Sequence, residues 1–97
     1  MNEAMIDRCA DIARGFGVTK LVLFGTAADS VAAAADVDFA CEGLSGWDLY
    51  RFGAKLEEEL GKRVDVIALS GDDFSEYVVA KGRTVYDAER TPARGRH

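Results

Sequence analysis

Three aspartates lie in segments whose residue patterns predict β-strands. Asp36 and Asp38 are two positions apart, so in a strand both carboxylates lie on one face with Cα atoms about 6.5 Å apart. Asp65 lies in a later segment, in which Val64, Val66 and Ala68 are directed to the core and Asp65 to the other side. Carboxylate oxygens bind hard divalent cations, and a pair of such ions supports in-line displacement at phosphorus. If the two strands are neighbours, Asp36, Asp38 and Asp65 form a catalytic set of metal ligands.

A glycine turn precedes these aspartates. Residues 21–24 form a short apolar run that predicts a buried strand, and Gly25 and Thr26 follow it. A strand that ends in glycine and leads into a helix presents free backbone N–H groups, to which threonine adds a hydroxyl. Gly25 and Thr26 are therefore predicted to bind phosphate. The competing interpretation makes the aspartates only the solvated face of a half-covered sheet, but strands disfavour aspartate, which favours a site.

The remaining pattern predicts the elements that position these residues. Apolar residues at helical spacing predict amphipathic helices over 5–16 and between Ser45 and Gly61. Ser70 and Asp73 are candidate starts of a last helix that runs to Lys81. Strands are predicted at 21–24, 36–41, 63–69 and 84–86, and a short alanine-rich helix within 27–35. Trp47, Tyr50 and Phe52 are expected in a core or an interface. The predicted class is α+β, with a mixed sheet of about four strands and helices packed mainly on one face.

Length and charge limit the function classes. A chain of 97 residues holds one core, so we predict a single domain over 1–89 and a disordered basic tail over 90–97. The formal net charge of −5 argues against nucleic acid as the main partner. No apolar run is long enough to cross a membrane and no signal peptide is evident, which predicts a cytoplasmic protein. Cys9 and Cys41 are interpreted as small buried side chains.

The order of these motifs resembles a known family. Residues 23–26 read Leu-Phe-Gly-Thr, residues 36–39 read Asp-Val-Asp-Phe, and residues 63–67 read Arg-Val-Asp-Val-Ile. This order resembles the minimal nucleotidyltransferase domain of the DNA polymerase beta superfamily, of the antitoxin type. The closing segment 81–86, Lys-Gly-Arg-Thr-Val-Tyr, is also similar to the family's ending. The likeness extends from residue 2 to about residue 88.

The resemblance implies a polymerase beta-like fold and a site that binds two Mg²⁺ ions and ATP or another nucleoside triphosphate. In that family Asp36 and Asp38 would bind the metals, and Asp65 would complete the second metal site and help to deprotonate the acceptor. Gly25 and Thr26 would hold phosphates. The resemblance also implies transfer of AMP to a hydroxyl, such as a tyrosine of a partner toxin of the helical HEPN type.

One segment departs from the family pattern. Where the family has an arginine-rich turn and a second glycine, residues 27–30 read Ala-Ala-Asp-Ser, without charge-assisted contacts worth about 1.5–3 kcal/mol each. Lys20, Lys62 and Arg63 are the candidate cations, although the pattern favours surface residues beside the strands for all three. Arg63 is the best placed, because it shares the strand face of Asp65, where it would approach a phosphate or pair with a carboxylate. Two alternatives remain: a degenerate domain that neutralises a partner by contact alone, and a solitary domain that uses a metal only for stability.

Overall fold

The computed structural model of the chain describes residues 3–24, 36–70 and 73–89. The elements follow one another as α1 (Glu3–Phe16), β1 (Lys20–Phe24), β2 (Asp36–Glu42), α2 (Gly46–Leu60), β3 (Arg63–Ala68), α3 (Asp73–Lys81) and β4 (Arg83–Asp87). Each helix and strand predicted within these ranges is present, in the predicted order. The predicted helix within 27–35, the predicted phosphate-binding residues Gly25 and Thr26, and the tail 90–97 lie outside the described residues.

The strands form one mixed sheet in the order β3-β2-β1-β4. β1 pairs in antiparallel fashion with both β2 and β4, whereas β2 and β3 are parallel. The parallel pair requires a crossover, and α2 provides it because a strand cannot return in the same direction through a tight turn. The predicted α+β class with a mixed four-stranded sheet is therefore confirmed.

The main core lies on the sheet face that α1 and α2 cover. Alternate residues of each strand point to this face, so Leu21, Leu23, Val37, Phe39 and Cys41 pack against Phe52 and Leu56 of α2 and Cys9 and Ile12 of α1. The rings of Phe16 and Phe52 lie 5.4 Å apart in a tilted arrangement and join the two helices. Full burial stabilises each of these larger apolar side chains by about 1.5–3 kcal/mol. Cys9 and Cys41 are buried free thiols, as predicted.

The opposite face carries a smaller apolar cluster. Val22 of β1, Ala40 of β2 and Val78 of α3 are buried there together. Among the described residues, two long helices therefore cover one face and the short α3 covers part of the other, which confirms helices packed mainly on one face. Ala68 points to the predicted face, as the partner of buried Cys41, but it is exposed because it is the last residue of an edge strand.

Two glycines set the turns that position β3 and α3. Gly61 ends α2 in the left-handed conformation (φ 67°) and donates its N–H to the Glu57 carbonyl at 2.8 Å, a geometry that glycine adopts without strain. Only Lys62 then separates Gly61 from β3. Gly82 lies between α3 and β4, where a Cβ would come within 2.6 Å of Val22 Cγ1. The close contact of α3 with β1 thus requires a residue without a side chain.

Candidate active site

The strand register places the three predicted aspartates on neighbouring strands. Asp38 of β2 is the direct partner of Asp65 of β3, and Asp36 is the partner of Arg63. Partner residues of adjacent strands direct their side chains to the same face, and the strands are about 4.8 Å apart. Asp38 and Asp65 are thus side by side, with Asp36 about 6.5 Å from Asp38 along its strand. The neighbour relation on which the sequence argument depended is present.

This acidic group, Asp36, Asp38 and Asp65, lies on the α3 face of the sheet at the margin of the small apolar cluster. Asp38 is half-buried, whereas Asp36 and Asp65 are exposed. On its other side Asp38 is the register partner of Phe24, which packs against the cluster of Val22, Ala40 and Val78. The face is therefore neither fully solvated nor a core: one carboxylate is partly buried beside apolar residues and the other two are exposed.

The surroundings of Asp38 oppose its ionisation. Partial burial raises the pKa of its carboxyl above the ordinary value of 3.8, and the negative charges of Asp65 and then Asp36 raise it further. A bound cation would reverse this effect, because a positive charge favours the ionised form of every carboxylate near it.

The donor set fits Mg²⁺ in its chemistry, since all three groups supply carboxylate oxygens from one face. As the side chains stand, however, no three or more His, Cys, Asp or Glu residues within the described ranges are arranged closely enough to hold a metal ion. The β-ladder fixes the Cα positions, whereas exposed side chains change rotamer within picoseconds to nanoseconds. Closure around an ion would require the exposed Asp36 and Asp65 side chains to rotate toward Asp38.

The predicted phosphate-binding residues follow directly on β1. The last residue of this strand, Phe24, is the partner of Asp38. The chain therefore leaves the described part of β1 at the level of the acidic group, immediately before Gly25 and Thr26.

The candidate cations are spread along the sheet. Arg63 is exposed and is the register partner of Asp36. Lys20 is the partner of Glu42, at the opposite end of β2, about 13 Å along the strand from Asp38. Its ammonium nitrogen lies 3.8 Å from the buried carboxylate of Asp87. Lys62 precedes β3. Arg63 is thus the cation that the register brings to the acidic group, and Lys20 has a structural partner elsewhere.

A groove between α2 and β3 was not predicted from the sequence. It has a volume of about 420 Å³ and lies beside Val64, Asp65 and Val66 of β3. Its helical wall is one stripe of α2, formed by Gly46, Leu49, Tyr50, Gly53, Ala54 and Glu57. The small residues along this stripe leave space between helix and strand, but their spacing alone does not show that an edge strand lies beside them. Asp65 belongs to both this groove and the acidic group.

Two exposed aromatic side chains lie at the N-terminal end of α2. Trp47 and Tyr50 are 70% and 65% exposed, and their rings stack with centroids 5.1 Å apart. Of the three aromatic residues predicted for a core or an interface, only Phe52 is in the core. Tyr50 also lines the groove, so the aromatic pair and the groove form one continuous surface.

Comparison with known proteins identifies the fold. No family model matches the sequence, and no curated protein matches it. Among solved structures, a chain from the complex of a tri-AMPylated Shewanella oneidensis HEPN toxin with an MNT antitoxin superposes with a TM-score of 0.69 at 18% identity, over 93% of this chain and 76% of that chain. A toxin–antitoxin structure with AMP-PNP gives a TM-score of 0.67 at 21% identity, over 90% and 74% of the two chains.

A candidate minimal nucleotidyltransferase gives a TM-score of 0.69 at 23% identity, over 82% of this chain and 88% of that chain. The resemblance drawn from the motifs is therefore confirmed for the fold: the chain has the fold of the minimal nucleotidyltransferases. Within the described ranges, none of the helices has the length and apolar character needed to cross a membrane.

Proposed function

We propose that this chain is a metal-dependent nucleotidyltransferase of the cytoplasm that transfers AMP from ATP, or another nucleoside monophosphate from its triphosphate, to a hydroxyl of a partner protein. The partner we propose is a HEPN-type toxin, the acceptor is one of its tyrosines, and this chain is the antitoxin. Asp36, Asp38 and Asp65 are the proposed metal ligands and catalytic residues, and Gly25 and Thr26 the proposed phosphate-binding residues.

The observation that carries the proposal is the register of β2 and β3. Asp38 lies directly beside Asp65, and Asp36 is two residues from Asp38 on the same face. A fold that only needed a solvated face would not gain from adjacent carboxylates, because their mutual repulsion opposes ionisation of Asp38. The arrangement is useful when a cation binds there.

The reaction is a displacement at the α-phosphorus of the nucleotide. The acceptor oxygen forms a bond to the α-phosphorus, the bond to the bridging oxygen of the β-phosphate breaks, and pyrophosphate leaves. The proton of the acceptor hydroxyl passes to a carboxylate, for which Asp65 is the proposed base, and from there to solvent. When bound, Mg²⁺ would neutralise charge on the phosphates and acidify the acceptor hydroxyl. Each role requires the three carboxylates on one face.

The structural neighbours support the choice of substrate and partner. One of them is an MNT antitoxin in complex with an AMPylated HEPN toxin, and another toxin–antitoxin structure contains AMP-PNP. These proteins share this chain's fold and most of its length. The first group to test for transfer is therefore AMP, and the first class of acceptor to test is a helical toxin.

A second candidate function is a binding module that neutralises the same kind of partner without catalysis. Two observations favour it: residues 27–30 lack the arginines of the family pattern, and the described acidic side chains do not form a closed metal site. An acidic domain of net charge −5 would associate rapidly with a basic partner, because opposite fields steer the encounter.

One experiment distinguishes the two candidate functions. The purified protein is incubated with ATP labelled at the α-phosphate and with Mg²⁺, with and without the protein encoded by the neighbouring gene. If the protein is an enzyme, the partner should become labelled, and the label should be lost in Asp38→Asn and in the presence of EDTA. It should be retained in the control Asp7→Asn, at an exposed position of α1. A stable complex without label, unchanged by Asp38→Asn, would favour the binding module. Label that survives Asp38→Asn would exclude the assigned site.

A further inference from the structure

We propose that the groove between α2 and β3 binds an extended, basic segment of a protein partner, which pairs with the free edge of β3 as a fifth strand. The inference deepens the proposed function, since it says where and in which form the acceptor protein docks. Only the identity of the partner as the acceptor rests on that function. The docking surface itself rests on the edge strand, the groove and its charge.

β3 lies at an edge of the described sheet. Within the described part of the chain β3 pairs with β2 alone. The N–H of Val64 donates to the Glu57 carboxylate at 3.0 Å rather than to β2, so it points away from the sheet. Backbone groups alternate in direction along a strand, and Val66 therefore directs its N–H and C=O outward as well. Such an edge is a template on which an extended segment can add a strand.

The groove beside this edge has a shape that suits an extended segment. The stripe of α2 contributes small residues: a Cβ at Gly53 would just touch Val66 Cγ2 at 3.4 Å, and a Cβ at Gly46 would meet nothing within 4 Å. The groove is thus closed where helix and strand touch and opens toward Gly46, beside Trp47 and Tyr50. Its volume of about 420 Å³ is in the range of sites that hold side chains or small ligands. Stacked exposed aromatics are typical anchors of protein interfaces.

Charge decides between the possible occupants of the groove. The charged residues beside it are Glu57, on its α2 wall, and Asp65 of β3, whose carboxylate lies on the α3 face of the sheet; both are acidic. A second copy of this chain paired edge to edge would bring like charges together, whereas a basic segment would be attracted. When a strand adds to β3, the Val64 N–H becomes available to it and the Glu57 carboxylate is released to pair with a Lys or Arg of the incoming segment.

The groove also connects docking to the acidic group. Asp65 lines the groove and is the neighbour of Asp38. A segment paired with β3 next to Asp65 would carry its own side chains past this carboxylate. A hydroxyl on the segment would thereby reach the proposed base without any rearrangement of the sheet.

The test uses a display library of random 12-residue peptides selected on the whole protein, without nucleotide. We expect the enriched peptides to contain Lys or Arg together with β-branched or aromatic residues at alternate positions. Binding is then measured through the fluorescence of Trp47, the single tryptophan, and through amide exchange of Val66, which pairing should slow at least tenfold.

Three variants make the test specific. Ala54→Arg places bulk and positive charge in the groove, and we expect it to lower the affinity of the selected peptides at least tenfold. Ala4→Arg, at an exposed position of α1, should leave their affinity unchanged. Glu57→Gln keeps an acceptor for the Val64 N–H but removes the charge, and should weaken basic peptides about tenfold. Light scattering of the free protein, measured over a range of concentrations, should not detect a dimer that Ala54→Arg dissociates, because such a dimer would pair through β3.

Several results would overturn the inference: no enriched peptides, binders indifferent to Ala54→Arg, binders without basic residues, or a dimer that pairs through β3. These results are separable from a failure of the proposed function, because peptide binding needs neither nucleotide nor metal. A protein that binds peptides in the groove but transfers no label would keep the docking surface and lose the enzymatic proposal.

Discussion

Replacing Asp38 by asparagine should stabilise the metal-free protein while abolishing transfer. If the charges are taken to be as far apart as the Cα atoms, about 5 Å for Asp65 and 6.5 Å for Asp36, their repulsion costs Asp38 about 1.5 kcal/mol at the dielectric of water. Screening over a Debye length of about 8 Å at 0.15 M salt reduces this to about 0.7 kcal/mol. For a domain of this size, that corresponds to a rise in Tm of about 3–5 °C.

The assay is thermal unfolding of the native protein, Asp38→Asn and the control Asp7→Asn, followed by circular dichroism at low and at physiological salt. The stabilisation by Asp38→Asn should grow at low salt, because the repulsion is then unscreened. Mg²⁺ should raise the Tm of the native protein, because binding at a hundredfold excess over Kd adds about 2.7 kcal/mol to the free energy of unfolding. It should have little effect on the Tm of Asp38→Asn. A Tm of Asp38→Asn no higher than that of Asp7→Asn at low salt would refute the proposed repulsion at Asp38.

The pH dependence supplies an independent check with a defined sign. The pKa of Asp38 is higher in the folded protein than its ordinary value of 3.8, so the folded chain binds this proton more readily than the unfolded chain. The penalty that Asp38 imposes is therefore fully present above the folded pKa and is lost as the pH falls toward the ordinary value. Because asparagine does not titrate, the advantage of Asp38→Asn should be greatest near pH 7 and should shrink toward pH 4.

Three further outcomes test the fold that positions the site. Gly82→Ala should lower the free energy of unfolding by about 1–3 kcal/mol, measured by urea titration, because the new methyl group would lie 2.7 and 2.8 Å from two backbone oxygens as well as against Val22. Phe52→Ala should cost about 3–5 kcal/mol, with the same measurement, because the ring is fully buried. Burial raises the pKa of both Cys9 and Cys41 to about 11, so iodoacetamide at pH 8 should label them about a hundredfold more slowly in the native protein than in urea; equal rates would contradict the buried positions.

The acidic group could be predicted from the sequence because its signal is local. Aspartates at 36, 38 and 65 interrupt segments that otherwise favour strands, and the alternation of Val37 and Phe39 shows which way each carboxylate points. What no local pattern states is which strands are neighbours. The parallel pairing of β2 and β3 is a long-range contact made through α2, and the motif order supplied it only through resemblance to a known family.

The groove and the second apolar cluster were missed for a different physical reason. Val22 and Ala40 alternate with core residues, so their pattern alone is that of an outward face, and only the docking of α3 buries them. Likewise the small residues of α2 fit a helix surface equally well whether or not a strand lies beneath. Burial by a distant element is a property of the assembled chain, and residue spacing within a single element does not encode it.

The crossover helix links the two parts of the proposed function. α2 runs from the end of β2 to the start of β3, and its left-handed end at Gly61 fixes where β3 begins. That starting point sets the register in which Asp65 meets Asp38. The same helix supplies the groove wall and the Glu57 carboxylate, which accepts a hydrogen bond from the Val64 N–H. Because one rigid element positions both, the acidic group and the docking surface keep a constant relation, which a transferase needs if a bound acceptor is to meet its catalytic carboxylate.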